Sequence, residues 1–265
     1  MLEIDPKLLE RYITNGIDSR KSIAVREHIN LYNKFSYVVL ARERMCDNDD
    51  VYLNDHTERI KEAVKILKHY TTTQGKEIGN IGVSSIDNLL RGLLQCKKLV
   101  SIVPSTFPNL ASDEFLQYDI TVINSRPPER SFDILIFTEV LEHLLVEDEI
   151  VLKNVSSLVK QEGLLIASVP NAVRHINRVK VLFGHNIFWT KRDIIRGVFG
   201  GFGHIREYNV QEVRSLFSSH FRILGIHKQN PYGSRMIRRF LNLLPKTWSS
   251  TLLLVAIKKD DIPVK

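Results

Sequence analysis

FDILIFTEVLEHLL, residues 132–145, decides how this chain is read. FDILIF is a short, almost continuously apolar run, the pattern of a strand covered on both faces of a parallel sheet. It passes with no polar loop into Glu139, Glu142 and His143. On a helix starting at that point, the three residues lie at i, i+3 and i+4 and share one face. Two carboxylates and an imidazole then stand at the carboxyl end of a core strand, where open α/β sheets bind ligands.

The same texture extends on both sides. KEIGNIG (76–82) reads as a strand running into a glycine turn, and VSSIDNLLRGLLQ (83–95) as a helix with a serine cap. KKLVSIV (97–103) is a second strand, YDITVI (118–123) a third, FDILIF a fourth, and GLLIASVP (163–170) a fifth. TEVLEHLLVEDEIVLKNVSSLV (138–159) has helical spacing throughout. Near the end, FRILGIHKQ (221–229) and STLLLVAIKK (250–259) are strands without an α/β-type helix between them, so an antiparallel pair is expected. Residues 1–72 differ: LLERYI, INLYNKFSYVVLARERM and HTERIKEAVKILKHY have helical spacing, broken by the acidic CDNDDVYLND. The expectation is an N-terminal helical cap over 1–72 and an α/β domain over 73–265.

Composition narrows the class. A chain of 265 residues, 43% hydrophobic and 25% charged, buries one substantial core. Cys46 and Cys96 make neither a disulfide framework nor a CxxC knuckle, which suits a reducing compartment. The start, MLEIDPKLLERY, lacks the pattern of a signal peptide, and TLLLVAI, the longest apolar run, is far below the roughly 20 residues of a membrane span. A cytoplasmic protein is expected. Charge is uneven, with residues 171–246 holding 14 Lys+Arg against 3 Asp+Glu. Such a stretch faces an anionic partner or is a solvated basic face.

EIGNIG, FDILIFTEVLEHL and GLLIASVPN together resemble the class I S-adenosylmethionine-dependent methyltransferases, over about residues 75 to 260. FDILIFTEVLEHL is the most specific piece, and FGHIREYNVQEVRSLF (202–217) resembles the branch found in glycan and lipopolysaccharide clusters. The resemblance implies a Rossmann-like sheet, mostly parallel with an antiparallel last strand. It implies S-adenosyl-L-methionine framed by Glu77, Gly79, Asn80, Gly82, Asn124, Phe137 and Thr138. His143 is then the general base beside Glu139 and Glu142, because an acceptor hydroxyl must lose its proton and imidazole titrates near neutrality. A basic insertion at about 171–208 lies over the acceptor, with His204, Arg206 and Tyr208 as contacts.

The implied activity is O-methylation of a saccharide-like or other small hydroxyl acceptor in glycan biosynthesis. Some relatives hold a divalent metal with a Glu-x-x-Glu-His run, which gives an alternative ligand set of Glu139, Glu142, His143 and His185. That set and GHNIFWTKRD (184–193) raise the alternative of a metal-assisted RNA 2′-O-methyltransferase, with nucleic acid as partner. Two departures raise a third alternative, a catalytically inactive scaffold. Ile81 stands where a second glycine belongs, and the second strand ends in Val103, Pro104 and Ser105 rather than the ribose-binding acid. Finally, MIRRFLNLLPKTW (236–248) spaces Ile237, Phe240, Leu241 and Leu244 helically among arginines, either packed on the sheet or in peripheral membrane contact.

Overall fold

The run at 132–138 forms a strand in the interior of a seven-stranded sheet. The computed structural model describes residues 49–82, 86–103, 114–123, 126, 128, 130–188, 190, 204–231 and 235–259. In chain order its elements are α1 (Asp49–Tyr70), β1 (Glu77–Ile81), α2 (Ile86–Leu93), β2 (Lys98–Val103), β3 (Glu114–Gln117), β4 (Phe132–Thr138), α3 (Asp148–Ser157) and β5 (Val159–Pro170). Then come α4 (His175–Leu182), α5 (Val210–Phe217), β6 (Phe221–Gln229), α6 (Arg235–Leu243) and β7 (Thr251–Lys258), with 3-10 turns at Leu141–His143 and Lys246–Trp248.

The strands lie in the order β3-β2-β1-β4-β5-β7-β6. β1 to β5 pair parallel, and β7 runs antiparallel between β5 and β6. This is the mixed α/β sheet expected from the sequence. Continuous apolar strands need cover on both faces, and β4 shows how it is shared. Ile134 and Ile136 join Ile60, Val64 and Leu67 of α1 and Leu90 of α2 in one buried cluster. Leu135 and Phe137, one residue out of phase, face Val151 and Val155 of α3 and Val213 and Phe217 of α5. α5 begins at a capping box, in which Asn209 accepts from the Glu212 amide while Glu212 accepts from the Asn209 amide.

Two expectations are corrected. The third strand is Glu114–Gln117, not YDITVI. Asp119 Oδ1 accepts from the Thr121 amide at 2.9 Å and from its hydroxyl at 2.6 Å, a local turn that replaces strand there. The helix after β4 starts only at Asp148. Glu139 adopts φ 54°, in the left-handed region, and Leu141–His143 close a single 3-10 turn, so no shared helical face exists for 139, 142 and 143. Within the expected N-terminal cap, α1 has the helical form read from its spacing and packs its apolar stripe against sheet residues. Residues 1–48 lie outside the described residues.

Candidate active site at the carboxyl rim

The parallel strands aim their carboxyl ends at one rim, and register decides which β1 residues reach it. Ile78 lies opposite Ile134 and Asn80 opposite Ile136, so Asn80, Ile81 and Gly82 approach the rim. Glu77 starts β1 at the opposite edge, corrected from its expected place by the cofactor. There it pairs with Lys97 at 3.2 Å and Arg130 at 3.3 Å, and hydrogen bonds from these two hold its carboxyl below the ordinary range. Gly79 is corrected as well. A Cβ on it would lie 2.7 Å from Phe132 Cδ2 and 2.9 Å from Leu135 Cδ1, which makes it a packing glycine in mid-strand. Gly82 is the rim glycine: φ is +100°, and a Cβ there would meet nothing within 4 Å.

Asn80 is buried and donates from Nδ2 to Asp87 Oδ1 at 2.7 Å, while Ser101 Oγ donates to Asp87 Oδ2 at 2.8 Å. Asp87 sits in the first turn of α2, where the helix dipole favours a carboxylate, and is 1% exposed. No local signal marks it, since one acid in IDNLL looks like an ordinary helix start. Phe137 belongs to the core rather than the rim, at 1% exposure, leaving half-buried Thr138 as the β4 residue there. Asn124 lies outside the described residues.

Glu139 and Glu142 part company at the left-handed turn. The Glu139 amide donates to the Ser168 carbonyl at 2.9 Å, and Ser168 Oγ donates to Glu139 Oε1 at 2.8 Å. The other carboxylate oxygen meets Arg59 Nη1 of α1 at 2.8 Å, with both side chains largely buried. Glu139 therefore ties β4, β5 and α1 together, and it is corrected from its expected role beside the base. Nothing in HTERIKEAVKILKHY singles Arg59 out, and only the tertiary contact reveals its role.

Glu142 and His143 instead meet a segment more than sixty residues further on. The Glu142 carbonyl accepts from the Ile205 amide at 2.8 Å and the Arg206 amide at 3.4 Å. The same segment is pinned to the end of β5, the Tyr208 amide donating to the Pro170 carbonyl at 3.1 Å. This brings the His204 ring to 5.1 Å from the His143 ring, edge to face. Glu142 is fully buried, its Oε1 3.8 Å from His143 Nε2. One ligand-type atom from each of Glu142, His143 and His204 lies within 4.8 Å of the others. His185 is not part of this group, so the alternative metal set is revised: His204 stands where Glu139 and His185 were expected.

Behind His204 is a relay. His204 Nδ1 lies 3.1 Å from Glu207 Oε1, and Arg174 Nη1 donates to Glu207 Oε2 at 2.7 Å. Burial alone would raise the Glu207 carboxyl, but the His204 hydrogen bond and the Arg174 guanidinium hold it below its ordinary value. An ionised Glu207 accepts from a protonated His204 Nδ1 and so fixes the orientation of the ring. The other two expected acceptor contacts point elsewhere. Tyr208 is 2% exposed and donates to Asp148 Oδ1 at 2.8 Å, with burial, then the Asp148 charge, raising its hydroxyl pKa. Arg206 is exposed and pairs with Glu212 at 2.8 Å.

No protein-family model and no curated protein matches this sequence. Solved structures do match. The N-methyltransferase NodS of Bradyrhizobium japonicum, in complex with S-adenosylhomocysteine, superposes with a TM-score of 0.53 at 14% identity, over 85% of this chain and 99% of that one. A Burkholderia thailandensis 1,6-didemethyltoxoflavin N1-methyltransferase, with its namesake compound and S-adenosylhomocysteine bound, gives 0.54 at 14% identity over 92% of each chain. A chain from a Haloferax volcanii complex of the Trm112 activator with a methyltransferase gives 0.56 at 12% identity, over 83% of this chain and 98% of that one. Strand order, the antiparallel β7 and these superpositions agree: the chain has the class I S-adenosylmethionine-dependent methyltransferase fold.

Proposed function

We propose that the chain is an S-adenosylmethionine-dependent methyltransferase acting on a small hydroxyl-bearing acceptor, saccharide-like in kind. The observation that carries the reading is the convergence of His143, His204 and buried Glu142 at the rim beyond β4 and β5. For the methyl donor the described residues supply Gly82, a left-handed glycine with open space beside it, and half-buried Thr138. Among the described residues no carboxylate stands at the end of β2, which closes on buried Val103.

When bound, the donor would supply an electrophilic methyl on a sulfonium, with the thioether as leaving group. The chain supplies positioning and a proton acceptor. Glu207, kept ionised, orients His204, whose Nε2 takes the acceptor's hydroxyl proton. Glu142 stabilises the positive charge as it appears on the paired imidazoles.

A second reading follows from the same cluster. One carboxylate and two imidazoles suit a divalent transition metal, with His204 oriented by Glu207 as an outer partner. Calorimetric titration with S-adenosylmethionine and S-adenosylhomocysteine, with and without EDTA, tests both. Micromolar binding lost in Gly82→Arg supports the donor site, whereas no heat and no thermal stabilisation at millimolar ligand refute the enzyme and leave a binding protein. Loss of activity in EDTA, restored by one metal and abolished in His204→Ala, selects the metal. With the acceptor in hand, Glu207→Gln lowers turnover by about 10–100-fold and shifts the pH profile while donor affinity holds.

A further inference from the structure

Two short helices leave the carboxyl rim with apolar residues turned outward. In α6, Met236, Phe240 and Leu243 recur at i, i+4 and i+7 and are 77%, 62% and 83% exposed. The opposite face is fixed: Leu241 is buried, Arg238 pairs with Glu58 at 3.3 Å, and Lys228 Nζ donates to the Asn242 and Leu244 carbonyls at the helix end. Of the two placements left open for this segment, Leu241 packs inward while Phe240 is exposed. α4 ends in the same manner, with Leu182 and Phe183 at 80% and 72% exposure.

α4 borders the 3-10 turn that follows α6. Arg178 of α4 stacks over Trp248 at 4.8 Å, and Asn171 Nδ2 donates to the Thr247 carbonyl at 3.0 Å, in the 3-10 turn that follows α6. Lys180, Arg239 and Lys246 are exposed on these elements, within the stretch of 14 Lys+Arg against 3 Asp+Glu. Side chains this exposed protrude rather than line a groove. Among the described residues no helix is long and apolar enough to cross a membrane. Protruding apolar residues and exposed cations on the same eight- and nine-residue helices match shallow insertion into an anionic headgroup layer.

We propose that α4 and α6 together seat this rim of the protein on an anionic lipid bilayer. The test is sedimentation of the full chain with vesicles of phosphatidylcholine plus phosphatidylglycerol, and with phosphatidylcholine alone. It needs neither methyl donor nor acceptor, so its result is independent of the enzymatic reading. The chain is expected to pellet with the anionic vesicles only, less so as salt rises. Phe240→Ser/Leu243→Ser and Leu182→Ser/Phe183→Ser each lower partitioning about tenfold or more, with melting temperature unchanged because all four side chains are exposed. Failure to pellet with anionic vesicles, equal pelleting with neutral ones, or unaltered pelleting of both double variants overturns the proposal. So does a wild-type dimer that the same variants split, since a second copy would then cover the face.

Discussion

Replacing Arg59 by Met tests whether Glu139 is structural. In the folded protein Arg59 Nη1 and Glu139 Oε2 are 2.8 Å apart, with side chains 7% and 11% exposed. Met fills much of the same volume but leaves the carboxylate buried with Ser168 and without its cation. Removing one partner of a buried pair costs about 3–5 kcal/mol. For a domain of this size, that corresponds to a fall of roughly 6–20 °C in melting temperature. The second variant, Arg59→Met/Glu139→Gln, removes the stranded charge and keeps an acceptor for Ser168, so it regains most of the loss. Urea unfolding followed by far-ultraviolet circular dichroism reads both, at equal m-value. A single variant within about 1 kcal/mol of wild type, the size of an exposed pair, refutes the reasoning. So does a double variant no better than the single.

Two further predictions concern packing and protonation. Gly79→Ala drives a methyl into Phe132 and Leu135 and costs about 1–3 kcal/mol, whereas Gly82→Ala, with open space, costs only the left-handed backbone, about 1 kcal/mol, and weakens binding of S-adenosylhomocysteine; unfolding and titration on the two proteins distinguish the roles. His227 lies 2.8 Å from the Tyr70 hydroxyl, and burial, then the charges of Lys246 and His69, hold its pKa below the ordinary value. The unfolded chain therefore binds a proton more readily, so stability falls as pH drops from about 6.5 through the folded value and is unaffected above. In His227→Gln that part of the slope disappears, measured as urea midpoints across the window.

The sheet was legible because its strands are covered on both faces, and an unbroken apolar run needs no partner to be recognised. The antiparallel end was legible for the complementary reason, since no crossover helix separates FRILGIHKQ from STLLLVAIKK except the short α6. The rim was not, because register and backbone handedness decide it. KEIGNIG reads equally well with Glu77-Ile78-Gly79 or Asn80-Ile81-Gly82 at the strand end, and only the pairing of β1 with β4 selects the second. EVLEH has helical spacing, yet one residue at positive φ sends Glu139 towards α1 and Glu142 towards His143. His204 is the strongest case. It was expected over the acceptor, but it lies 61 residues beyond His143, so the meeting of the two imidazoles exists only in three dimensions.

The β1–β2 edge explains how a sheet of this type persists without an acid at the end of β2. Two buried polar side chains, Asn80 on β1 and Ser101 on β2, each require a partner there. Asp87 serves both from the first turn of α2, satisfying them with charge-assisted hydrogen bonds at 2.7 and 2.8 Å. A carboxylate is thus present near the ends of β1 and β2 but turned inward as a structural acceptor. At 1% exposure it offers no oxygen to ribose hydroxyls. A missing charge-assisted pair of that kind lowers affinity by about one to two decades. For the proposed donor site, Gly82 is the glycine at the carboxyl end of β1, which makes substitution there the sharper probe than substitution of Glu77 or Gly79.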